Sequence, residues 1–466
     1  MDIEDLQIED IKAGLKNKDF TSVELTEECL NFIKKKDKEI NSLLEITEEL
    51  ALKQAELVDK SDKNKKLSGV PIVVKDNILV QGEKATAGSK ILKHFKAPSD
   101  AAVVEKIKKE GAVIVGKGNM DEFAMGGSTE NSAFFNTKNP VDKTRVPGGS
   151  SGGPAAAVAS GMVPVSLGSD TGGSIRQPAS FCGVVGFKPS YGRVSRNGLM
   201  AMASSLDQIG PFSKSVKDAR KVFNVIKGKD EMDSTSVEVD ESHKKEESVK
   251  IGIPKEYFVD GVEKRVKTEV EKAIGKIKDA GFEVVDISLP HTEYALACYQ
   301  IVMASEVSAN MARYDGIRYG LEVDRPEAKS IERAYFKNRG KFGDEVKRRI
   351  ILGTYSLSSG YYDDYYMKAE KVRELIRRDF QDAFEKVDTI LTPTSPISPF
   401  KLGEKLENPL SMYLTDLFTT PANLAGLPAI SIPADVEGLP VGIQLMGARF
   451  EDEKLLDVAE KLEDII

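Results

Sequence analysis

Serine and glycine concentrate in one stretch of the chain, between residues 146 and 180. Two short clusters read PGGSSGGP (147–154) and GSDTGGS (168–174). A flexible linker would be polar throughout, but these clusters flank a helix-forming alanine run (155–159) and a strand-like apolar run (163–167). Loops of this kind between core elements hold backbone close to a ligand and aim hydroxyl groups into a site. The pattern therefore indicates chemistry that uses serine hydroxyls.

A serine nucleophile needs a base, and the sequence offers few candidates. Histidine usually serves, but the chain has only three, none close in sequence to the clusters: His94, His243 and His291. Lys75 remains, at the end of the apolar run IVV (72–74). Burial disfavours an ammonium group and lowers its pKa, and a neutral amine can take a proton from a serine. The residues alone leave a second interpretation open, a strand-end lysine whose ammonium reaches water.

Other kinds of site find little support in the sequence. The spacing of Cys29, Cys182 and Cys298 matches neither a disulfide framework nor a CxxC metal motif, so no metal is expected. The pattern GxxxxGK at 111–117 is followed by glycine, which lacks the magnesium-binding hydroxyl of a phosphate loop. The net charge is −8 and no long Lys/Arg block occurs, which argues against direct, sequence-independent binding of nucleic acid.

The chain is expected to be cytoplasmic and free of the membrane. Its 466 residues are 40% hydrophobic, yet no apolar run approaches the roughly 18–20 residues that span a bilayer. The first residues, MDIED, are acidic and lack the apolar core of a signal peptide.

The elements that must position these serines alternate between strand and helix. Residues 1–65 are predicted to be helical, with Thr21 opening a capping box. Further on, helical stretches separate short apolar runs that predict strands at 71–75, 112–115, 163–167, 184–187, 250–253, 284–289, 389–391, 429–432 and 443–445. This alternation predicts an α/β fold with a mixed central sheet covered by helices on both faces.

Two segments stand apart from this alternation. Residues 227–250 are charged, lack apolar periodicity and are predicted to be a solvated surface connection. Residues 361–387 are predicted to form a long amphipathic helix that begins with the tyrosine-rich sequence YYDDYY. We expect these tyrosine side chains to pack within the protein. The alternative is that they form a surface for a partner protein.

Four motifs together resemble the amidase signature family: GVPIVVKDN (69–77), GGSSGG (148–153), GSDTGGSIRQPA (168–179) and GVVGFKPSYG (183–192). The resemblance implies the amidase signature fold, as one domain over residues 1–466. It also implies Lys75 as base, Ser150 as bridging serine after a cis Gly149–Ser150 peptide, and Ser174 as nucleophile. The oxyanion of the tetrahedral intermediate would be bound by backbone N–H groups of the turn that precedes the nucleophile, Thr171, Gly172 and Gly173.

Within this family, further segments are similar to the glutaminase branch that serves tRNA-dependent amidotransferases: 120–134, 203–211, 313–320 and 412–416. This similarity implies glutamine as substrate, which needs a clamp for its α-carboxylate and a partner for its α-amino group. It points to Arg349 and Asp416 for these roles, with Tyr299 nearby. The adjacent Arg348 and Gln300 stay open as alternatives to Arg349 and Tyr299.

The same similarity implies partner chains. A B subunit would bind ATP, magnesium and most of the tRNA, and a small C subunit would complete a heterotrimer, so this chain would need no cofactor of its own. The ammonia would convert Glu-tRNA(Gln) to Gln-tRNA(Gln), Asp-tRNA(Asn) to Asn-tRNA(Asn), or both. The alternatives are a free-standing amidase and an inactive scaffold; the scaffold is disfavoured because all three triad positions carry the required residues.

Overall fold

A mixed β-sheet of eleven strands forms the centre of the computed structural model, which describes residues 3–61, 64–240, 249–321 and 330–466. The strands in chain order are β1 (Leu43–Ile46), β2 (Pro71–Lys75), β3 (Val113–Gly118), β4 (Val165–Asp170), β5 (Val185–Lys188), β6 (Gln208–Ser213), β7 (Lys250–Pro254), β8 (Glu283–Ile287), β9 (Thr389–Pro393), β10 (Ala429–Pro433) and β11 (Gly442–Gly447). Their order across the sheet is β1-β3-β2-β4-β6-β5-β10-β11-β9-β7-β8. Strands β3, β2 and β4 are parallel neighbours, as are β8, β7 and β9, and the other neighbouring pairs are antiparallel.

Helices cover both faces of the sheet, which confirms the predicted α/β class. Along β2, for example, Ile72 and Val74 join one hydrophobic cluster and Val73 joins another, because successive side chains of a strand point to opposite faces. The α-helices of the described residues are α1 (Ile8–Asn17), α2 (Ser22–Ile40), α3 (Glu48–Asp59), α4 (Ala102–Lys109), α5 (Gly152–Ala159), α6 (Arg176–Cys182), α7 (Val216–Ile226), α8 (Lys264–Asp279), α9 (Ala295–Asn310), α10 (Ile331–Arg339), α11 (Asp344–Ser356), α12 (Lys368–Phe384), α13 (Pro409–Tyr413), α14 (Thr420–Leu424) and α15 (Asp452–Glu463).

Two strands were not predicted from the sequence. Strand β6 has the sequence QIGPFS and lies between β4 and β5, fully buried. Glycine and proline normally weaken or exclude a central strand, so tertiary pairing on both sides overrides the local signal here. Strand β1 has only four residues and pairs with the edge of β3. It interrupts the segment 1–65, which is therefore not wholly helical as predicted, although the capping box at Thr21 is present.

The predicted connection over residues 227–250 is described only in part. Helix α7 ends at Ile226 and β7 begins at Lys250, and residues 241–248 lie outside the described residues. The single-domain organisation and this surface connection stay predictions. None of the helices in the described ranges is both long and apolar enough to cross a membrane.

The predicted helix over residues 361–387 begins later than the sequence indicates. A turn of π-helix over Asp363–Met367 precedes α12. The tyrosines at 361, 362 and 365 are exposed rather than packed inside the protein. The expectation that they pack internally is therefore wrong for these three side chains.

Candidate active site

Two parallel strands bring the lysine and the serine clusters to one edge of the sheet. Strands β2 and β4 are neighbours, with Ile72 opposite Val165 and Val74 opposite Leu167. Their carboxyl ends therefore lie side by side, which places Lys75 next to Ser169. The Lys75 Nζ lies 2.8 Å from Ser150 Oγ, 3.0 Å from Ser169 Oγ and 3.4 Å from the Ser169 carbonyl oxygen. Lys75, Ser150 and Ser169 are all buried.

Burial makes Lys75 suitable as a base at neutral pH. Loss of hydration lowers the pKa of its ammonium from 10.5 to about 7, although the carboxylates of Asp121, Asp170 and Asp207 act in the opposite direction. A neutral amine has two N–H groups and one lone pair. If the two N–H groups donate to the two Ser169 oxygens, the lone pair faces the Ser150 hydroxyl. Ser169, for which the sequence predicted no role, thus orients the Lys75 amine.

Glycine is required at position 149, next to Ser150. The Gly149–Ser150 peptide is cis, as the resemblance implies. A Cβ at position 149 would lie 2.2 Å from Asp121 Oδ2 and 2.7 Å from the Ser128 nitrogen, so any side chain would collide with its neighbours. The Gly149 N–H donates to Gln177 Oε1 at 3.0 Å, and the Asp121 N–H donates to the Ser150 carbonyl at 3.2 Å. These contacts hold the Ser150 hydroxyl against Lys75.

Ser174 is the serine of the predicted triad that reaches open space. It lies two residues before α6, and the Ser151 N–H donates to its carbonyl oxygen at 3.2 Å. Ser174 is 7% exposed, whereas Ser150 is 0% exposed. Across the described residues no hydrogen bond joins the hydroxyls of Ser150 and Ser174. The structure thus brings Lys75 and Ser150 into direct contact and leaves the Ser174 hydroxyl available to a ligand.

Of the amides predicted as oxyanion donors in the turn before Ser174, one is already engaged within the protein. The Gly173 N–H already donates to Asp170 Oδ1 at 2.9 Å, so this amide is occupied and its assignment is corrected. For the described part of the chain, the N–H groups of Gly172 and Ser174 have no hydrogen-bond acceptor. The Thr171 hydroxyl donates to Asp207 at 2.6 Å, which holds the start of the turn in place.

A buried ion pair between Asp170 and Arg176 fixes this turn, and the sequence predicted no role for either residue. Arg176 donates through Nε and Nη2 to the two oxygens of Asp170, both at 3.1 Å, and both side chains are fully buried. Against the effect of burial, the Arg176 charge and its hydrogen bonds lower the pKa of Asp170 to about 2. The sequence did contain a signal for this pair: Asp170 and Arg176 are two opposite charges within the motif 168–179, which is flanked by apolar residues. Because buried charges are generally paired, their proximity could have predicted the contact.

A polar cavity of about 280 Å³ opens next to the serine turn. Its lining includes Arg348, Arg349, Glu345, Asp416, Tyr413 and Asn131. The Arg349 side chain is only 6% exposed and donates through Nε to Glu345 Oε1 at 2.7 Å, whereas that of Arg348 is 40% exposed. The Arg349 guanidinium also lies 5.6 Å from the centre of the Tyr413 ring. Of the two arginines that the sequence leaves open, Arg349 is therefore the more buried, and Glu345, which the sequence did not reveal, holds it in place.

Asp416 lines this cavity and, like Tyr299, lies against the serine turn. A Cβ at Gly172 would lie 2.6 Å from the Tyr299 hydroxyl, and a Cβ at Gly173 would lie 3.2 Å from Asp416 Oδ1. Both side chains therefore contact the turn that precedes Ser174. Asp416 Oδ1 is buried, and in the described residues it has no hydrogen-bond partner. Burial and the nearby charge of Asp170 raise the pKa of Asp416, and Arg349 opposes this rise. An unpartnered buried oxygen of this kind suits the ammonium of a ligand.

No group of three His, Cys, Asp or Glu side chains in the described ranges is arranged to hold a metal ion. Lys117, which ends the GxxxxGK pattern, is fully buried within β3, donates to the Ile78 carbonyl and lies 3.8 Å from Asp76. It is a structural residue in a strand and does not belong to a phosphate-binding loop.

Comparison with known proteins places these features among amidases. The sequence profile described as Amidase matches residues 24–456. The chain is 53% identical to the A subunit of the glutamyl-tRNA(Gln) amidotransferase of Caldanaerobacter subterraneus subsp. tengcongensis, over 99% of this chain and 97% of that protein. The corresponding protein of Koribacter versatilis is 51% identical, with 99% of each chain covered. The Thermotoga maritima A subunit, known from a crystal structure, is 42% identical, with a TM-score of 0.82 over 98% of this chain and 94% of that one.

Proposed function

The chain belongs to the amidase family, and on that premise we propose that Lys75, Ser150 and Ser174 hydrolyse the side-chain amide of glutamine. The observation that carries this proposal is the 2.8 Å contact between Lys75 Nζ and Ser150 Oγ, two side chains that are fully buried. A neutral amine there is a base that can activate a serine without histidine.

The first half of the reaction makes an ester. Lys75 takes the proton of the Ser150 hydroxyl as Ser150 takes that of Ser174, and Ser174 Oγ attacks the amide carbon. The carbonyl oxygen becomes an oxyanion, which accepts hydrogen bonds from the free N–H groups of Gly172 and Ser174. The C–N bond then breaks, and the nitrogen leaves as ammonia after Ser150 returns a proton from Lys75. The glutamyl group stays on Ser174 as an ester.

The second half releases glutamate by the same proton path. Water replaces ammonia, gives a proton towards Lys75 and attacks the ester carbon. The C–O bond to Ser174 breaks, and the proton returns to the Ser174 oxygen. Throughout, Arg349 holds the α-carboxylate of the substrate and Asp416 holds its ammonium, with Tyr299 between the cavity and the turn.

This triad is tested by single substitutions with a matched control. Ser174→Ala and Lys75→Ala should each lower the kcat for glutamine hydrolysis by on the order of 10^4-fold, because the triad acts as a unit. The control is Ser151→Ala. The hydroxyl of this buried neighbour donates to the Ser169 carbonyl at 3.0 Å and accepts from the Ser169 N–H at 3.4 Å, and its loss should leave turnover within about tenfold of wild type. Mass spectrometry of rapidly quenched enzyme should locate a glutamyl adduct on Ser174. An adduct on another residue contradicts the assignment.

The clamp is tested by comparing adjacent arginines. Arg349→Ala should raise the KM for glutamine by roughly 10- to 100-fold, because the substrate loses a hydrogen-bonded partner of opposite charge. The change in kcat should be smaller. Arg348→Ala, whose side chain is the more exposed of the two, should change KM by less than about threefold. The reverse order of effects would move the clamp to Arg348.

We propose further that the ammonia serves amidation of tRNA-bound glutamate, because the relatives are named as A subunits of glutamyl-tRNA(Gln) amidotransferase. The reaction would be cytoplasmic. A B subunit would bind ATP, magnesium and tRNA, and a C subunit would join both chains in a heterotrimer. Formation of Asn-tRNA(Asn) from Asp-tRNA(Asn) would be a second reaction of the same complex.

Coexpression with candidate B and C subunits from the same genome tests this role. The complex should convert Glu-tRNA(Gln) to Gln-tRNA(Gln) with glutamine and ATP. The Ser174→Ala complex should lose the reaction with glutamine but retain it when ammonium chloride is supplied, because only the ammonia source is removed. A chain that binds neither partner and hydrolyses assorted amides as well as glutamine would instead be a free-standing amidase.

A further inference from the structure

The side chain of Asn77 lies buried close to Lys75, although no step of the proposed reaction uses it. Asn77 is 2% exposed and belongs to the turn that follows β2. Its amide nitrogen donates to Ser169 Oγ at 3.0 Å. Its amide oxygen is buried and, within the described ranges, has no hydrogen-bond partner. Buried polar atoms are nearly always satisfied, and each exception calls for an explanation. A leucine at this position would avoid the unpaired oxygen, so the amide must contribute something that leucine cannot.

The amide donates to the hydroxyl that orients the base. Ser169 Oγ lies 3.0 Å from Asn77 Nδ2 and 3.0 Å from Lys75 Nζ, so the two nitrogens lie no farther apart than twice that distance. A hydroxyl oxygen offers one proton and two lone pairs, whereas an amide N–H can only donate. Asn77 therefore takes one lone pair of Ser169 Oγ and leaves the other to an N–H of Lys75. The lone pair of the lysine amine is then available to Ser150.

Other contacts fix the backbone of Ser169 but not its hydroxyl. The Ser151 hydroxyl accepts from the Ser169 N–H at 3.4 Å and donates to the Ser169 carbonyl at 3.0 Å. In the part of the chain that the structure describes, Asn77 is the one side chain besides Lys75 that hydrogen-bonds the Ser169 hydroxyl. Asn77 is anchored through its own backbone, because its carbonyl accepts from the Met200 N–H at 2.9 Å. A substitution at position 77 can therefore remove the side-chain contact and keep this anchor.

The charges around Lys75 explain why the donor at position 77 is a neutral amide. Three carboxylates already favour the charged form of Lys75, and they belong to Asp121 after β3, Asp170 at the end of β4 and Asp207 before β6. The charges of Asp76, the residue before Asn77, and of Lys117 on β3 lie 3.8 Å apart and oppose each other. An aspartate at position 77 would add a further negative charge within reach of Lys75 and would favour the ammonium form, which cannot act as a base.

We propose that Asn77 is a positioning residue for the base: its neutral amide holds the Ser169 hydroxyl against the Lys75 amine without adding a charge. This inference rests on the proposed function, in which Lys75 is the base. It requires two properties of the side chain, a donor that reaches Ser169 and the absence of charge. Alanine at position 77 removes the donor and adds no charge, whereas aspartate keeps the size of the side chain and adds a charge. The two substitutions therefore have different expected effects.

The pH dependence of kcat/KM for glutamine tests the need for a neutral side chain. In Asn77→Asp the midpoint should move upwards by about one pH unit or more, because an opposite charge within roughly 4–6 Å favours the ammonium. A shift of one unit lowers the neutral fraction of Lys75 at pH 7 about fivefold. The matched control is Asn139→Asp, since Asn139 is 1% exposed and donates to the carbonyls of Val146 and Phe181; its midpoint should not move. An unmoved midpoint in Asn77→Asp overturns the proposal.

A double-mutant cycle tests whether Asn77 acts through Ser169. Asn77→Ala should lower kcat by about tenfold and change KM by less than about twofold, because other residues bind the substrate. In a Ser169→Ala background the same substitution should have almost no further effect, since the hydroxyl that Asn77 positions is already absent. Wild-type kcat in Asn77→Ala, or losses that simply multiply in the double variant, would overturn the proposal.

Thermal unfolding verifies that each full-length variant is folded before its kinetics are measured. If Asn77→Asp does not fold, the cycle of Asn77→Ala and Ser169→Ala decides the proposal by itself. Failure of the proposed function is a separate result, because Lys75→Ala would then keep near-normal turnover whatever the substitutions at position 77 do.

Discussion

The pH dependence of glutamine hydrolysis reports directly on Lys75. Burial lowers the pKa of its ammonium from 10.5 to about 7. With that value, the neutral fraction is about 10% at pH 6, about 50% at pH 7 and about 90% at pH 8. The kcat/KM should therefore rise about tenfold between pH 6 and pH 8 and then level off, with a change of less than about 1.2-fold between pH 8 and pH 9.

An unperturbed lysine gives a different profile. With the ordinary pKa of 10.5, the neutral fraction would still increase about tenfold between pH 8 and pH 9. The assay is direct chromatography of glutamate in quenched samples, which avoids a coupling enzyme with its own pH dependence. Lys75→Arg is the control, because a guanidinium stays protonated throughout this range and cannot act as a base. A tenfold rise between pH 8 and pH 9, or substantial turnover by Lys75→Arg, refutes the assignment of a neutral, buried lysine as base.

Three further predictions concern stability and the serine turn. Lys75 has a lower pKa in the folded chain than in the unfolded chain. The free energy of unfolding of wild type, measured in urea titrations relative to Lys75→Met, should therefore increase by roughly 1.4 kcal/mol per pH unit between about pH 7 and about pH 10.5. Asp170→Asn should lower the free energy of unfolding by on the order of 3–5 kcal/mol, because the fully buried Arg176 loses its carboxylate partner. Gly172→Ala should lower kcat/KM by about 100-fold or more, because the new Cβ would lie 2.6 Å from the Tyr299 hydroxyl and would displace an oxyanion donor. The control is Gly275→Ala, whose Cβ would have no atom within 4 Å and which should leave kcat/KM unchanged.

The strands with uninterrupted apolar runs were predictable from the sequence. The run at Pro71–Lys75 matches β2 in both bounds, because a short buried strand between turn residues has a clear pattern of its own. Strand β6 was missed because Gly210 and Pro211 interrupt its pattern, and only pairing with β4 and β5 makes these residues a strand. The exposed tyrosines before α12 show the converse: their composition suggests a core, and only packing shows that they stay exposed.

Residue types and motif spacing were enough to indicate which groups could do the chemistry. They indicate serine hydroxyls in two glycine-rich clusters and a strand-end lysine, and the resemblance of four motifs to the amidase signature family then singles out Lys75, Ser150 and Ser174. What depends on distance and burial between remote segments became visible only in the folded chain. In the folded chain the Arg349 side chain is buried and that of Arg348 is exposed. The Gly173 N–H donates to Asp170, and the Lys75 amine contacts Ser169. Hydration and hydrogen-bond partners are properties of the folded neighbourhood, so no pattern along the chain contains them.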